Sequence, residues 1–125
     1  MIKVDVVIPV YNGQAYIQKA LESVLNQSLL PSRIIVANDG STDQTKLIVE
    51  RLASKHNRID LLNLEHRGLS ATRNAGIRKS ESDYIAFLDC DDYWHPLKLE
   101  FQVKHLESHA NCKAVFSNCF VNDEI

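Results

Sequence analysis

The chain is short of the features that mark several large classes of protein, and each shortage narrows the reading. No apolar run approaches the ~20 residues a membrane-crossing helix needs. The opening Met1-Ile2-Lys3-Val4-Asp5 interrupts its apolar character with charge, so neither a signal sequence nor a span is expected and the protein is read as soluble and cytoplasmic. Cysteine is scarce: Cys90, Cys112 and Cys119 are odd in number and show no C-x-x-C spacing, which disfavours a disulfide framework or a zinc cluster and suits reduced thiols. Only four glycines occur, and neither G-x-G-x-x-G nor G-x-x-x-x-G-K-[ST] is present, which removes the dinucleotide-binding and P-loop readings. Charge of one sign is not in excess either. Fourteen basic residues against sixteen acidic ones give a formal charge of −2, so no nucleic-acid footprint is expected. His56, His105 and His109 read as exposed residues on or beside helices.

What is present is a length and a rhythm. A chain of 125 residues suits one domain, 1–125, large enough to bury roughly two-thirds of the surface its unfolded form exposes. Short β-rich runs, Lys3–Pro9, Arg33–Asn38, Ile59–Leu64, Tyr84–Leu88 and Ala114–Phe120, alternate with helical periodicity. This order predicts an α/β fold, a three-layer sandwich around a mostly parallel, Rossmann-like sheet. Ile17, Ala20, Leu21, Val24 and Leu25 form one apolar stripe on a first helix ending near Gln27. Ser41 and Gln44 have capping-box spacing for a second helix running to about Ser54. Leu69 to Lys79, rich in small residues, predicts a third helix lying close against something. Pro96 opens a fourth, with stripe Leu99, Val103, Leu106 and Ala110. The last run, up to Val121, is too apolar to stay bare, and self-association as a homodimer is expected from it.

In an open parallel sheet, ligands bind beyond the carboxyl ends of the strands. All four such positions are chemically loaded: Pro9-Val10-Tyr11-Asn12-Gly13, Asn38-Asp39-Gly40-Ser41-Thr42-Asp43, Glu65-His66-Arg67-Gly68 with Arg73-Asn74 on the following helix, and Asp89-Cys90-Asp91-Asp92. Three carboxylates within four residues repel one another unless a cation or protons intervene. If the segment is extended, Asp89 and Asp91 face the same side and suit one hard cation, Mg²⁺ or Mn²⁺; a solvated acidic turn before a helix is the other reading. Tyr11 is either a core aromatic at a strand end or a platform for a base whose N3–H donates to Asp39. Asp43 reads as a helix-start acid, Arg67 and Lys79 as solvated, and Trp94 as core packing behind the acidic turn.

These segments together resemble the family 2 glycosyltransferases, from Val4 to about Phe120: Val7-Ile8-Pro9-Val10-Tyr11-Asn12-Gly13, Asn38 to Asp43, Gly68-Leu69-Ser70-Ala71-Thr72-Arg73-Asn74-Ala75-Gly76, and Phe87-Leu88-Asp89-Cys90-Asp91-Asp92-Tyr93-Trp94-His95-Pro96. The resemblance implies a GT-A fold that binds a nucleoside-diphosphate sugar, commonly a UDP-sugar, and transfers the sugar with inversion. It implies that Pro9, Tyr11 and Asp39, with Asn12 and Asn38 beside them, hold the base, that Arg73 lies near base or diphosphate, that Asp89 reaches the ribose, and that Asp91 binds Mn²⁺ or Mg²⁺. Asn38 departs from the pattern, which commonly has an acid there. Family members are also much longer, so the chain is expected to be the nucleotide-diphospho-sugar-binding part, cut after the D-x-D region, with the acceptor site and general base beyond Ile125. Asp92 is eligible as a base but is not assigned. Association of the full-length enzyme with a membrane surface is compatible with the family. A nucleotidyltransferase would need a Gly-rich basic loop where Pro9-Val10-Tyr11-Asn12-Gly13 stands. The remaining rival is a nucleotide-binding domain without turnover.

Overall fold

A computed structural model describes residues 1–121. Strands β1 (Val4–Val10), β2 (Arg33–Asn38), β3 (Ile59–Asn63) and β4 (Tyr84–Phe87) alternate with helices α1 (Ile17–Leu25), α2 (Thr45–Ala53), α3 (Leu69–Lys79) and α4 (Lys98–Ser108). The sheet has the order β3-β2-β1-β4 and every pairing in it is parallel. β1 is buried along its whole length, as expected of a central parallel strand covered on both faces.

Alternation along β1 assigns the two faces. Val4, Val6, Ile8 and Val10 join Ile34 and Val36 of β2 in a core closed by α1 (Ile17, Ala20, Leu21, Val24), Val49 of α2 and Leu99 and Val103 of α4. The opposite face meets α3, and the approach there is close. A Cβ on Gly76 would lie 2.5 Å from Val7 Cγ1, so only glycine lets the helix lie at this depth. The small-residue character of Leu69–Lys79 thus has its cause in the sheet. Trp94 is packed into the α1/α4 core, with the Lys98 ammonium 4.3 Å from its ring centre.

Several local expectations change. α2 begins at Thr45, and Ser41 does not cap it, because the Ser41 hydroxyl accepts the Asn12 amide instead. α1 ends at Leu25; Gln27 lies beyond it, its side chain donating to the carbonyls of Ser23 and His95 and accepting the Leu99 amide. α4 begins at Lys98 and ends at Ser108, leaving Pro96 and Ala110 outside. Ala114–Phe120 is not a strand: Phe116 and Phe120 are 93 % and 103 % exposed. A strand needs a hydrogen-bonding edge as well as β-prone residues, and neither sheet edge takes this segment up. Cys90, Cys112 and Cys119 are all unpaired. Among the described residues no helix is long and apolar enough to cross a membrane.

Candidate functional site

The carboxyl edge of the sheet is opened by Pro9. The carbonyls of Lys3 and Val7 accept from Tyr84 and Leu88, whereas those of Val4 and Val10 accept from Ser32 and Asp39. Odd positions of β1 therefore turn their backbone groups toward β4, and Pro9, which has no N–H, cannot continue that ladder. Pairing with β4 stops at Val7↔Phe87, while pairing with β2 runs on to Val10↔Asn38. The segment after β4 is thereby released from β1 where the strand order reverses, and a crevice is expected at such a reversal. Pro9 itself is buried.

The first two loops are stitched together. Asn12 adopts a positive φ of 50°, and its side-chain oxygen accepts the amides of Thr42 (2.8 Å) and Asp43 (3.3 Å). Asp43 accepts the Thr45 hydroxyl at 2.6 Å and its amide at 2.9 Å, and also the Gln14 amide at 3.1 Å. Burial pushes the Asp43 carboxyl up, and these donors outweigh it, so the group stays below its ordinary range. Asn38 is buried, its amide donating to Asn63 and its oxygen accepting from the Ser41 amide. Asn12 and Asn38 thus shape the edge through contacts within the protein.

Asp39 is the centre of the next cluster. Only 3 % exposed, it accepts the amides of Arg67 (2.8 Å) and Gly68 (3.0 Å), with His66 Nδ1 2.9 Å from Oδ2. Burial pushes its carboxyl up; the Arg67 amide, the Thr72 hydroxyl, the Gly68 amide and the His66 ring together more than offset this and hold it below the usual carboxylate range. The loop 65–68 sits down on Gly40, whose φ is +70° and where a Cβ would lie 2.9 Å from the His66 nitrogen. Tyr11 is exposed and stacks on His66, ring centres 4.2 Å apart and planes at 25°. Sequence reasoning placed His66 in a loaded loop but gave it no role; its position directly after a strand end, among three other loaded loops, was the available signal.

The acidic cluster follows β4. Asp92 donates its amide to the Asp89 carbonyl, so residues 89–92 form a turn rather than extended chain. The side-by-side argument for Asp89 and Asp91 therefore does not hold, yet the turn achieves more. Oxygens of Asp89, Asp91 and Asp92 lie within 4.8 Å of one another, all three residues being exposed. Asp92 has its carboxyl raised, by burial and by the charges of Asp91 and Asp89. An all-oxygen set with mutually repelling charge fits a hard divalent cation, and Asp92 joins Asp91 as a candidate ligand. Arg73 reaches this cluster from α3, its guanidinium 3.2 Å from Asp89 Oδ1. Gly13 brings the turn against the first loop, since a Cβ there would meet Cys90 Sγ at 3.2 Å. Burial, with the charges of Asp91 and Asp89, raises the Cys90 thiol.

Of the positions singled out in the sequence, Tyr11, Asp39, Arg73, Asp89 and Asp91 thus share one edge. α3 joins the two halves of the site: Thr72 lies beside Asp39 and Arg73 beside Asp89. Arg67 points its side chain to Glu65 in solvent.

Comparison with known proteins gives this edge a context. The profile of the family described as Glycosyl transferase family 2 matches residues 5–123. An uncharacterized glycosyltransferase of Rickettsia bellii (strain RML369-C) is 42 % identical over 107 residues, covering 86 % of this chain and 15 % of that protein. The crystal structure of S. aureus TarS 1-349 in complex with UDP-GlcNAc superposes with a TM-score of 0.79 at 32 % identity, over 86 % of this chain and 32 % of that one. The mannosyltransferase PcManGT from Pyrobaculum calidifontis, in complex with GDP-Man and Mn²⁺, gives a TM-score of 0.77 at 28 % identity, over 84 % of this chain and 32 % of that one. The chain therefore spans about a third or less of the length of each of these relatives.

Proposed function

The chain belongs to glycosyl transferase family 2, with the α/β architecture of the GT-A fold, and from that premise we propose that it is the donor-binding part of a metal-dependent, inverting enzyme that uses a UDP-sugar. The observation that carries this reading is the convergence, on one sheet edge, of an aromatic face beside a buried carboxylate and a triad of exposed carboxylates, with Arg73 reaching the triad. Similar folds bind UDP-GlcNAc in TarS and GDP-Man with Mn²⁺ in PcManGT, which supports a nucleotide sugar as the ligand class.

Tyr11 offers its face to the uracil ring, and Asp39 accepts N3–H. Pro9 keeps the crevice open, while Asn12 and Asn38 hold the two loops that form its wall. Asp89, pinned by Arg73, faces the ribose, and Arg73 supplies positive charge toward the diphosphate. Asp91, with Asp92, would hold Mn²⁺ or Mg²⁺, which when bound offsets the charge that gathers on the diphosphate as the sugar departs. No group in 1–125 is assigned as the general base or to an acceptor site. In this reading the chain, in the cytoplasm or at a membrane surface, supplies the donor site.

A second proposal concerns the exposed segment carrying Phe116, Phe120 and Val121, which as an isolated chain pairs with a second copy of itself.

Calorimetry with UDP, UDP-sugars and CDP, in Mn²⁺ and in EDTA, tests the donor site. UDP is expected to bind at least about tenfold more tightly with Mn²⁺, a difference of roughly 1.4 kcal/mol, and more tightly than CDP. Asp91→Ala should remove the metal requirement together with most of the affinity. Equal binding in EDTA, or an Asp91→Ala protein indistinguishable from the parent, would mean that the acidic turn is a solvated helix approach and nothing more.

A further inference from the structure

His66 makes the two contacts that the donor-site reading assigns to a uracil ring. Its imidazole is stacked on Tyr11, with ring centres 4.2 Å apart, and its Nδ1 lies 2.9 Å from Asp39 Oδ2. A flat, nitrogen-bearing heterocycle on an aromatic face, set beside a buried carboxylate and hydrogen-bonded at 3.2 Å to the Asp39 backbone carbonyl, is a chemical likeness of the base. We propose, on the basis of that reading, that His66 occupies the base position in the nucleotide-free protein and that an incoming uridine nucleotide displaces it.

Acceptor capacity makes the two rings competitors. A carboxylate offers about four acceptor positions. The Asp39 carboxylate already receives the amides of Arg67 and Gly68, with His66 Nδ1 2.9 Å from Oδ2 and the Thr72 hydroxyl beside it. The two amides cannot be given up without unseating the loop. The His66 contact leaves by side-chain rotation alone.

The surroundings allow that rotation and little else. The loop lies close on Gly40, where a Cβ would come within 2.9 Å of the His66 backbone nitrogen, and the amides of Arg67 and Gly68 are bonded to Asp39, so the backbone on both sides is fixed. The His66 side chain, by contrast, is 56 % exposed. It swings toward solvent and uncovers Tyr11, while the loop stays in place and Asp39 keeps its partners. His66 thus guards a preformed site: only a ring that replaces both the stacking and the N–H donation recovers what its departure loses. That requirement favours uracil over cytosine, whose N3 has no hydrogen.

Titration of UDP with Mn²⁺ into the parent and His66→Ala proteins tests this, with thermal melts confirming that both are folded. An occupant of the site lowers apparent affinity by the fraction of molecules in the open state, so His66→Ala should bind UDP about threefold or more tightly. His66→Phe, which stacks but offers no N–H, should fall between the two. In the parent protein the His66 ring-proton resonances, shifted by the Tyr11 ring, should move toward their free positions as UDP is added. Unchanged or weaker UDP binding by His66→Ala overturns the displacement, as do His66 resonances that stay in place at saturation. Inorganic pyrophosphate with Mn²⁺ separates this failure from a failure of the donor-site reading, because it lacks a base and should bind both proteins alike. If UDP binds no better than pyrophosphate to either protein, the base site itself is wrong; if UDP binds better but ignores the substitution, only the displacement is.

Discussion

Replacing Asp39 by asparagine keeps the shape of the side chain and removes one acceptor and the charge, so it isolates what the carboxylate does for the fold. The Arg67 and Gly68 amides donate to it at 2.8 and 3.0 Å and His66 Nδ1 lies 2.9 Å from Oδ2, in a position only 3 % exposed. An asparagine has one oxygen to share among them, and its NH₂ faces a donor. At least one of the Arg67 and Gly68 amides is left unpaired, which costs about 1–3 kcal/mol, and loss of the negative charge that the other amide and the His66 ring face brings the expected total to roughly 2–4 kcal/mol. At about 4 °C per kcal/mol for a domain of this size, Tm should fall by roughly 8–16 °C. Urea unfolding followed through Trp94, the one tryptophan and a core residue, reads this directly. The pH dependence has a definite sign. Because the folded carboxyl lies below its ordinary value of 3.8, its contribution is complete above that value and is lost as pH falls through the lower folded one. The gap between parent and Asp39→Asn should therefore be constant near neutrality and shrink below pH 3.8; Asp5 and Asp43, also held low, titrate alike in both proteins and cancel. A penalty under about 0.5 kcal/mol, within the range of an ordinary surface substitution, would refute the idea that Asp39 anchors the 66–68 loop.

Gly76→Ala should destabilise by about 1–3 kcal/mol through overpacking against Val7, less up to about 1 kcal/mol returned by helix propensity. Adding Val7→Ala should recover part of the loss, and strictly additive effects in urea unfolding would remove the close contact between α3 and β1 as the cause. Sedimentation of the isolated chain should show a concentration-dependent dimer that Phe116→Ser with Phe120→Ser dissolves; a monomer at high concentration would count against pairing through that segment.

Much of the architecture was legible because its causes are local in sequence. The apolar runs at Val4–Val10 and Arg33–Asn38 can only be buried parallel strands, and the stripe on Ile17–Leu25 can only face a sheet, so layer order followed from periodicity. The site was legible for a related reason. Parallel strands bring all their carboxyl ends to one edge, so the polar residues after each strand had to meet there, whatever the details.

Tertiary structure decided what depends on which groups compete for one partner. Ser41 had capping-box spacing, but the Asn12 amide took its hydroxyl. Ala114–Phe120 had strand composition, but composition cannot say whether a segment pairs, and neither edge strand, β3 or β4, takes it up. Asp89, Asp91 and Asp92 converge because a turn closes between Asp89 and Asp92, a geometry that alternation along an extended chain does not contain. His66 stood in a loaded loop after a strand end, but its role appears only when the loop after β3 sets it beside both Tyr11 and Asp39, residues 55 and 27 positions away. Sequence periodicity records which side of an element is buried; it does not record which of several donors reaches a buried carboxylate first.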